Sequence, residues 1–471
     1  MKGRAAVSAG LMLAMALAAV DGTIVATAVP SIVRDLGSFS LFPWVISGYM
    51  LSQAVCTPIY GRLSDLYGRK PMLAGGMAIF LLGSLLAGVA TSMPMLIAAR
   101  VVQGVGAGAI QSIVQVVAAD LYPLEERGRI SGLLSSVWGV SALIGPAVGG
   151  LLSELVSWRA IFLLNLPLGA AAIITISVFL REHVERREVR LDLLGSLLLA
   201  VGVVSLMLGL QETTWWLLLL GVAVLTAFAW WERRAAEPLI PPWVWRERAL
   251  LGSFLGSAVV GMVLAGPTAY LPIYAQGVLG AGAVAAGFAL AVQSIGWPLS
   301  VTFSARLYMR YGFRDTALIG LFLIAVSAVL FSLMTGSSSL LYAGACAFVN
   351  GAGLGLVSVS MLVGAQNQVG RDRRGVVTGG VVFFRVAGGA LGTAVLATVA
   401  NATLATRLNG HASVDSAARA LQSGGPDAEP VRQALSAAVH NVFLGMLAIS
   451  ALGLLAILLV PRRPRPTPPS P

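Results

Sequence analysis

The chain has 471 residues, of which 57% are hydrophobic and only 11% are charged, and its mean hydropathy is +0.86. About a quarter of the residues in soluble domains are charged, so this composition excludes an ordinary soluble protein and predicts an integral membrane protein. The net charge of +11 is not gathered into a basic stripe with interleaved aromatic residues, which argues against nucleic-acid binding.

Fourteen apolar runs are long enough to form membrane-spanning helices, which need about 20 residues each. The first run is too long for the apolar part of a signal peptide, which has about 7–15 residues, so we expect a retained helix. In chain order, the predicted helices lie near 6–30, 42–60, 71–91, 95–118, 130–153, 160–180, 191–210, 214–231, 250–274, 284–304, 315–335, 338–364, 376–401 and 438–460.

The basic residues indicate the orientation of these helices. If the N-terminus is inside, the inner segments hold 24 of the 31 Lys and Arg residues. Cytoplasmic loops carry an excess of these residues. The sequence therefore predicts that both termini are cytoplasmic, and one helix more or fewer would remove the asymmetry.

The chain also repeats internally. The glycines of 104–108 return at 351–355, offset by 247 residues, and the segment 61–70 returns more weakly at 305–314, offset by 244. Such parallel repeats are typical of two-lobed transporters. We expect an N-terminal six-helix lobe over 1–187, two inserted helices over 188–235, and a C-terminal six-helix lobe over 236–471. The last includes a long outer loop, 402–437, with a short helix near 416–422, and a disordered basic tail, 461–471.

Several motifs together resemble the major facilitator superfamily, in particular its fourteen-helix drug:proton antiporters. They are Leu17 to Pro30 in helix 1, Gly61 to Lys70 after helix 2, Arg100-Val-Val-Gln103-Gly104 in helix 4, Gly145-Pro146-Ala-Val-Gly149-Gly150 in helix 5, Trp158 to Gly169, and Phe384 to Gly392. The resemblance covers nearly the whole chain. It implies an all-α membrane fold with two six-helix lobes, two inserted helices, and transport by alternating access.

The loop after helix 2 is a candidate cytoplasmic gate. Its cations can simply anchor the topology, whereas the resemblance implies that Asp65 and Arg69 bond across the lobes and latch one conformation. We also expect Asp65 to favour a helix N-terminus or to pair with the loops of Arg127 or Arg374. In the second copy Met309 stands at the position of Asp65, so the latch is asymmetric. The predicted gate residues are Gly61, Arg62, Asp65, Gly68, Arg69, Lys70 and Arg127.

The glycines spaced by four residues predict close helix packing in lipid. A nucleotide-binding interpretation of Gly104-Val-Gly106 lacks the strand and the soluble domain that it needs. In helix 5, Gly145, Pro146, Gly149 and Gly150 resemble a motif of antiporters rather than symporters. Our hypothesis is that this helix closes against a helix of the opposite lobe and seals the protein against proton leak.

Charged residues inside the spans are the candidates for proton coupling, because an ionised group at mid-membrane costs at least about 2.5–3.5 kcal/mol. Asp21 is the one acid that cannot be placed in a loop or near the end of a span. Desolvation favours the protonated form of a carboxylate, and a nearby arginine favours the ionised form. We expect Asp21, Arg100 and Glu212 to take part, with Arg100 either snorkelling or pairing with Asp21. Two alternatives stay open for Asp21, which are local bonding to hydroxyls such as that of Thr23 and recognition of a cationic drug.

The substrate cavity is less well indicated by the sequence. Polar or aromatic residues in otherwise apolar helices are candidates, although each alone is more often a contact between helices. They are Gln103, Gln111, Asn165, Tyr270, Gln293, Trp297, Asn350, Phe384 and Arg385. An apolar cavity with few polar groups suits lipophilic or amphiphilic compounds.

No cluster in the sequence indicates an enzyme, a metal site or a cofactor. His183, His411 and His440 are scattered, and Cys56 and Cys346 lie in separate apolar runs without ligand spacing. A membrane sensor or scaffold that transports nothing is a distant alternative. Such a protein would be expected to carry a soluble signalling domain, and the sequence has no long polar segment of that kind.

We therefore expect a proton-coupled exporter of lipophilic or cationic drugs or toxic metabolites. It would work as a monomer in a bacterial cytoplasmic membrane, with protons, the small substrate and the bilayer as its partners. An exporter of lipids, siderophores or other amphiphilic metabolites is the alternative.

Overall fold

The structure is a computed structural model that describes residues 2–38, 41–182, 192–211, 214–235, 237–408 and 428–462. Within these ranges every regular element is a helix. Three sequence-based predictions lie outside the described residues: the role of Glu212, the short helix near 416–422, and nearly all of the basic tail.

The seventeen α-helices of the described residues are numbered here in chain order. They are α1 (Lys2–Ile24), α2 (Val29–Leu36), α3 (Phe42–Tyr67), α4 (Arg69–Gly88), α5 (Met93–Leu121), α6 (Leu124–Leu155), α7 (Arg159–Leu163), α8 (Asn165–Phe179), α9 (Leu193–Gln211), α10 (Trp215–Glu232), α11 (Trp243–Arg246), α12 (Arg248–Gly277), α13 (Ala283–Tyr311), α14 (Phe313–Ser332), α15 (Leu340–Gln366), α16 (Arg374–Arg407) and α17 (Ala428–Leu458). Both α16 and α17 extend into the stretch 402–437 that the sequence predicts to be a loop.

Thirteen of the fourteen predicted spans are long and apolar enough to cross a membrane, by length and composition, within the described residues. The short α7 and α8 together form one of them, Arg159–Phe179. The predicted second span is helical in α3 but is not among the thirteen. Its predicted span contains Ser47, Ser52, Gln53 and Thr57, which lower the hydropathy of a helix of sufficient length.

The first predicted helix is interrupted after Ile24 by a 3-10 turn, Val25–Ala28, before α2 begins. Pro30 stands in the first turn of α2 and has no N–H with which to continue the bonding of α1. The hydroxyl of Thr27 donates to the carbonyl oxygen of Ile24 at 2.8 Å. The break therefore follows closely after Asp21.

Gly68 and Gly312 occupy equivalent positions in the two copies of the weaker repeat. Gly68 separates α3 from α4 with φ of 96°, and Gly312 separates α13 from α14 with φ of 88°. An L-residue with a side chain rarely adopts this conformation. The glycines thus allow one long helix to turn sharply into the next in both copies.

The described residues fall into two compact units. Unit 1 contains residues up to 250 and the stretch 365–383, and unit 2 contains 251–364 and 384–463. The inserted helices α9 and α10 belong to unit 1 by this division. The predicted lobe boundaries at 187 and 236 remain predictions.

Glycines also allow close contacts between helices inside each unit. A Cβ atom on Gly104 of α5 would clash with the carbonyl oxygen of Tyr49 in α3. In unit 2, a Cβ atom on Gly351 of α15 would clash with the carbonyl oxygen of Gln293 in α13. The close helix packing predicted from the glycine spacing is present in both units.

Candidate functional site

The buried centre of unit 1 is an ion pair between α1 and α5. Asp21 is 0% exposed and Arg100 is 2% exposed. The Nη1 atom of Arg100 donates to the Oδ2 atom of Asp21 at 2.5 Å. A pair buried this completely is maintained only with good geometry and with further hydrogen bonds to its remaining atoms.

Those further bonds come from two amide side chains. The Nε2 atom of Gln103 and the Nδ2 atom of Asn165 donate to the Oδ1 atom of Asp21 at 2.8 and 3.0 Å. Both amides also donate to the hydroxyl of Ser84, at 2.6 and 3.1 Å. Asp21, Arg100, Gln103, Asn165 and Ser84 therefore form one connected group, called the Asp21 network below.

The guanidinium group of Arg100 is enclosed by other contacts as well. Its Nε atom donates to the carbonyl oxygen of Val45 at 3.2 Å. Its central carbon lies 4.1 Å from the centre of the Tyr49 ring and 5.8 Å from that of Phe162. Aromatic faces attract a cation most strongly where water is excluded, so these rings stabilise the charge within the bundle.

Local helix geometry places the donors on one side of Asp21. Arg100 and Gln103 are three residues apart on α5 and therefore point in the same direction. Asn165 is the first residue of α8, directly after the break that separates it from α7. The break at Leu164 brings an amide to the carboxylate from a third helix.

The structure brings together Asp21 and Arg100, one of the two arrangements expected for Arg100. Snorkelling is excluded because Arg100 is buried. Gln103 and Asn165, predicted to line a substrate cavity, bond to Asp21 instead. Sequence reasoning missed Tyr49 and Ser84, which belong to residue types common in such helices and carry no distinguishing pattern.

Most other predicted cavity residues are dispersed through unit 2. Tyr270 belongs to its apolar core, and Trp297 packs partly against that core. Phe384 stacks on Phe254 with ring centres 5.2 Å apart, and half-buried Arg385 lies 3.4 Å from the hydroxyl of Ser358. Gln111, in unit 1, is buried on α5.

Two buried amides in unit 2 keep an oxygen without a hydrogen-bond partner within the described part of the chain. Asn350 donates from Nδ2 to the hydroxyl of Ser327 at 2.9 Å, while its Oδ1 atom is unsatisfied. The Oε1 atom of Gln293 is also unsatisfied. Buried polar atoms usually have partners, so these two remain candidates for contact with a bound molecule.

A second polar site lies where residues 61–70, 119–127 and 371–376 meet, called the basic end below. The two carboxylate oxygens of Asp65 accept the backbone N–H groups of Gly375 and Val376, each at 2.9 Å. These N–H groups are in the first turn of α16, where a helix favours a negative charge. The structure thus shows the helix N-terminus expected for Asp65.

Ion pairs extend this arrangement through Asp120. Arg69 contacts Asp65 at 3.1 Å and Asp120 at 3.2 Å, and Arg374 contacts Asp120 at 2.7 Å. A Cβ atom on Gly61 would clash with the carbonyl oxygen of Gly375. Gly61 and Gly375 therefore permit the close approach of α3 and α16, and the charged groups stabilise this contact.

The remaining predicted gate residues have other partners. Arg62 pairs with Glu237 at 2.6 Å, and the backbone N–H groups of Arg69 and Lys70 donate to Glu182, both at 2.8 Å. Arg127 donates to backbone carbonyl oxygens at the end of α5 rather than to Asp65. Asp120, Glu182 and Glu237 were missed because their partners are distant in sequence.

The helix 5 motif contacts α1 and its 3-10 extension. A Cβ atom on Gly145 would clash with the hydroxyl of Thr23, and one on Gly149 would clash with that of Thr27. Gly150 has open space beside it, and Pro146 is exposed. Gly145 and Gly149 therefore contact residues that closely follow Asp21 in the same unit, and the closure against a helix of the opposite lobe stays a prediction.

An exposed cluster lies near the end of α2. Asp35 accepts from Trp158 at 3.0 Å and from Arg159 at 3.2 Å. These two hydrogen bonds hold the pKa of the Asp35 carboxyl below its usual value near 3.8.

No group of three or more potential metal ligands occurs in the part of the chain that the structure describes.

Comparisons with known proteins agree with this architecture. The model of the Major Facilitator Superfamily matches residues 11–393. Multidrug resistance protein 3 of Bacillus subtilis is 33% identical over 85% of this chain and 80% of its own length. The multidrug transporter protein MdtP of the same organism is 31% identical over 83% of this chain and 74% of its own length.

A solved structure shows a similar fold. The human organic anion transporter MFSD10 superposes with a TM-score of 0.67 over 96% of this chain and 99% of its own. The two sequences are 14% identical, so the likeness concerns the fold alone.

Proposed function

The chain belongs to the Major Facilitator Superfamily, whose members are transporters and not enzymes, and we propose that it couples the export of lipophilic or cationic compounds to proton entry. Its relatives are named as multidrug transporters and efflux pumps, which supports an exporter. The proposed location is the bacterial cytoplasmic membrane, with residues 61–70 on the cytoplasmic side.

The observation that carries the proton coupling is the buried ion pair of Asp21 and Arg100. Three side-chain donors bind the carboxylate, and in this proposal Asp21 takes up a proton when Arg100 moves away. A conformational change that separates Asp21 from Arg100 changes the affinity of the carboxylate for a proton. Proton binding and helix movement are thereby linked.

The energy available is sufficient for useful concentration gradients. One proton moving inward across about 100 mV releases about 2.3 kcal/mol. A tenfold gradient of an uncharged substrate costs about 1.4 kcal/mol. A single proton can therefore drive more than tenfold accumulation outside.

The basic end is the proposed gate for this cycle. Asp65 binds the first turn of α16, and Arg69 and Arg374 share Asp120. A gate is an element with two arrangements whose contacts break in one of them. We propose that these contacts hold the cytoplasmic side closed and that their release opens it.

The test is proton movement in proteoliposomes of the purified protein exposed to a panel of lipophilic cations and neutral drugs. We compare wild type with Asp21→Asn and use Asp35→Asn as the matched control, since Asp35 is an exposed carboxylate on the neighbouring α2. We expect substrate to drive proton movement in wild type and the control but not in Asp21→Asn.

Two results would count against the proposal. If Asp21→Asn exchanges protons for substrate at the wild-type rate, the coupling does not depend on this pair. If no compound moves protons while labelled lipid is translocated, the protein exports lipids.

A further inference from the structure

A cavity of about 310 Å³ opens at the basic end, beside the contacts of Asp65. It lies between the start of α1, the end of α5, the start of α6 and the segment 371–374. All of its walls belong to unit 1. Neither the Asp21 network nor the glycine contacts explain it.

The lining of this cavity is strongly cationic. Among the described residues, the lining includes four arginines, Arg4, Arg127, Arg371 and Arg374, and one acidic residue, Asp120. That carboxylate already pairs with Arg69 and Arg374. Glu125 and Glu126, exposed on the first turn of α6, are not part of the lining. The cavity therefore carries an excess of positive charge.

Backbone oxygens at the end of α5 orient three of the arginines. Arg127 and Arg374 both donate to the carbonyl oxygen of Ala119, at 2.8 and 3.1 Å. Arg371 reaches the carbonyl oxygen of Asp120 at 3.4 Å. A guanidinium group has five N–H donors in a fixed plane, so the contact of exposed Arg371 positions this side chain while leaving further donors for a ligand.

The fourth arginine is held over the cavity by a contact of its own helix. The hydroxyls of Ser8 and Tyr122 are 2.5 Å apart, which ties the start of α1 to the end of α5. Arg4 precedes Ser8 by one helical turn and therefore lies on the same face of α1. Arg4 and Arg371 are exposed, so an anion can replace the water around them.

We propose that this cavity binds a phosphate group, either as free phosphate or as the head group of an anionic phospholipid. Arginine recognises phosphate oxygens through paired, charge-assisted hydrogen bonds. A bound phosphate would join α1, α6 and the residues before α16, and it would therefore stabilise the contacts of Asp65 and Asp120. The binding itself does not depend on the proposed proton coupling.

The test is isothermal titration calorimetry on the purified full chain in neutral detergent. The titrants are inorganic phosphate, dihexanoylphosphatidylglycerol, and dihexanoylphosphatidylcholine as the zwitterionic comparison. The variant is Arg4→Gln with Arg371→Gln, both at exposed positions. The matched control is Arg373→Gln, which removes the same charge from the same segment at a residue outside the cavity. Size-exclusion chromatography checks folding, and Arg4→Gln alone serves if the pair misfolds.

We expect the double variant to weaken binding at least about tenfold, the single variant to weaken it less, and the control to differ from wild type by less than about twofold. Competition between phosphate and phosphatidylglycerol would support a shared site for either source. Binding of phosphatidylglycerol without phosphate would identify the lipid as the ligand, and the reverse would identify the free anion.

The proposal is overturned if neither anion binds wild type, or if the double variant binds as tightly as wild type. It is also overturned if Arg373→Gln weakens binding as much as the double variant, since the anions would then be attracted by positive charge in general and not by this cavity. None of these results bears on proton transport, so the two proposals fail separately.

Discussion

The two units share their packing but differ in buried charge. Tyr49 and Gln293, whose carbonyl oxygens face Gly104 and Gly351, are 244 residues apart, which matches the internal repeat. Gly108 and Gly355 repeat the same relation against the next turn of α3 and α13. Close packing of these helices is therefore a property of the fold in both units.

The buried ion pair occurs at only one of the two equivalent places. The repeat places Ala347 where unit 1 has Arg100, and Asn350 where it has Gln103. Asn350 bonds to Ser327 as Gln103 bonds to Ser84. Unit 2 thus keeps the neutral hydrogen bond at this place without the charge that Arg100 brings to unit 1.

The largest predicted difference between the units follows from removing Arg100. Arg100→Leu leaves Asp21 buried without its counter-charge, which costs about 3–5 kcal/mol, whereas Asn350→Leu removes one neutral bond and costs about 1 kcal/mol. Denaturant unfolding in micelles measures both. Adding Asp21→Asn should recover part of the loss caused by Arg100→Leu. Equal losses from Arg100→Leu and Asn350→Leu would show that the ion pair contributes no more than ordinary packing.

A second difference concerns Asp65, whose equivalent in unit 2 is Met309. Asp65→Asn weakens charge-assisted bonds to two backbone N–H groups, which are worth about 1.5–3 kcal/mol each. We expect hydrogen exchange in a peptide spanning 371–380 to accelerate about tenfold or more. Met309 is exposed, and Met309→Ala should leave exchange around it unchanged. Unaltered exchange in Asp65→Asn would mean that α16 does not depend on this carboxylate.

The glycines should show the similarity of the units instead. Gly104→Ala and Gly351→Ala each force a methyl group against a carbonyl oxygen, and we expect each to cost about 1–3 kcal/mol. Gly75 has open space around its Cα atom, so Gly75→Ala should be neutral or stabilising by up to about 1 kcal/mol. Thermal unfolding compares the three. A large loss at one unit only would break the structural equivalence of the repeats.

The smallest predicted effect is at Asp35, on the exposed side of unit 1. Because folding lowers its pKa, its stabilising contribution is present above pH 3.8 and is lost as the pH falls from there through the lower pKa of the folded protein. Asp35→Asn should therefore melt slightly below wild type at pH 7, and the difference should shrink as the pH falls below 3.8. A difference that persists at low pH would assign the effect to shape rather than to charge.

Sequence patterns predicted the long helices and the internal repeat, and they offered the pairing of Asp21 with Arg100 as one of two arrangements for Arg100. Hydropathy and charge are properties of one segment of the sequence, so both can be evaluated without knowledge of the tertiary structure. The interruption after Ile24 was missed because Thr27 and Pro30 lie in a run that is apolar overall. Asp120 was missed because an acid at the end of a helix is usually solvated, and here only folding brings Arg69 and Arg374 to it.

The sequence by itself determined that Asp21 is an acid in an apolar span and that Arg100 is a cation in another. Burial of a charge is costly wherever it occurs, so that anomaly was visible without a structure. Only the tertiary structure decided that Gln103 and Asn165 bond to Asp21 and that Gly145 and Gly149 contact α1. Hydrogen bonds and contacts between helices depend on how each helix is rotated and displaced against its neighbours, which the pattern along one helix does not specify.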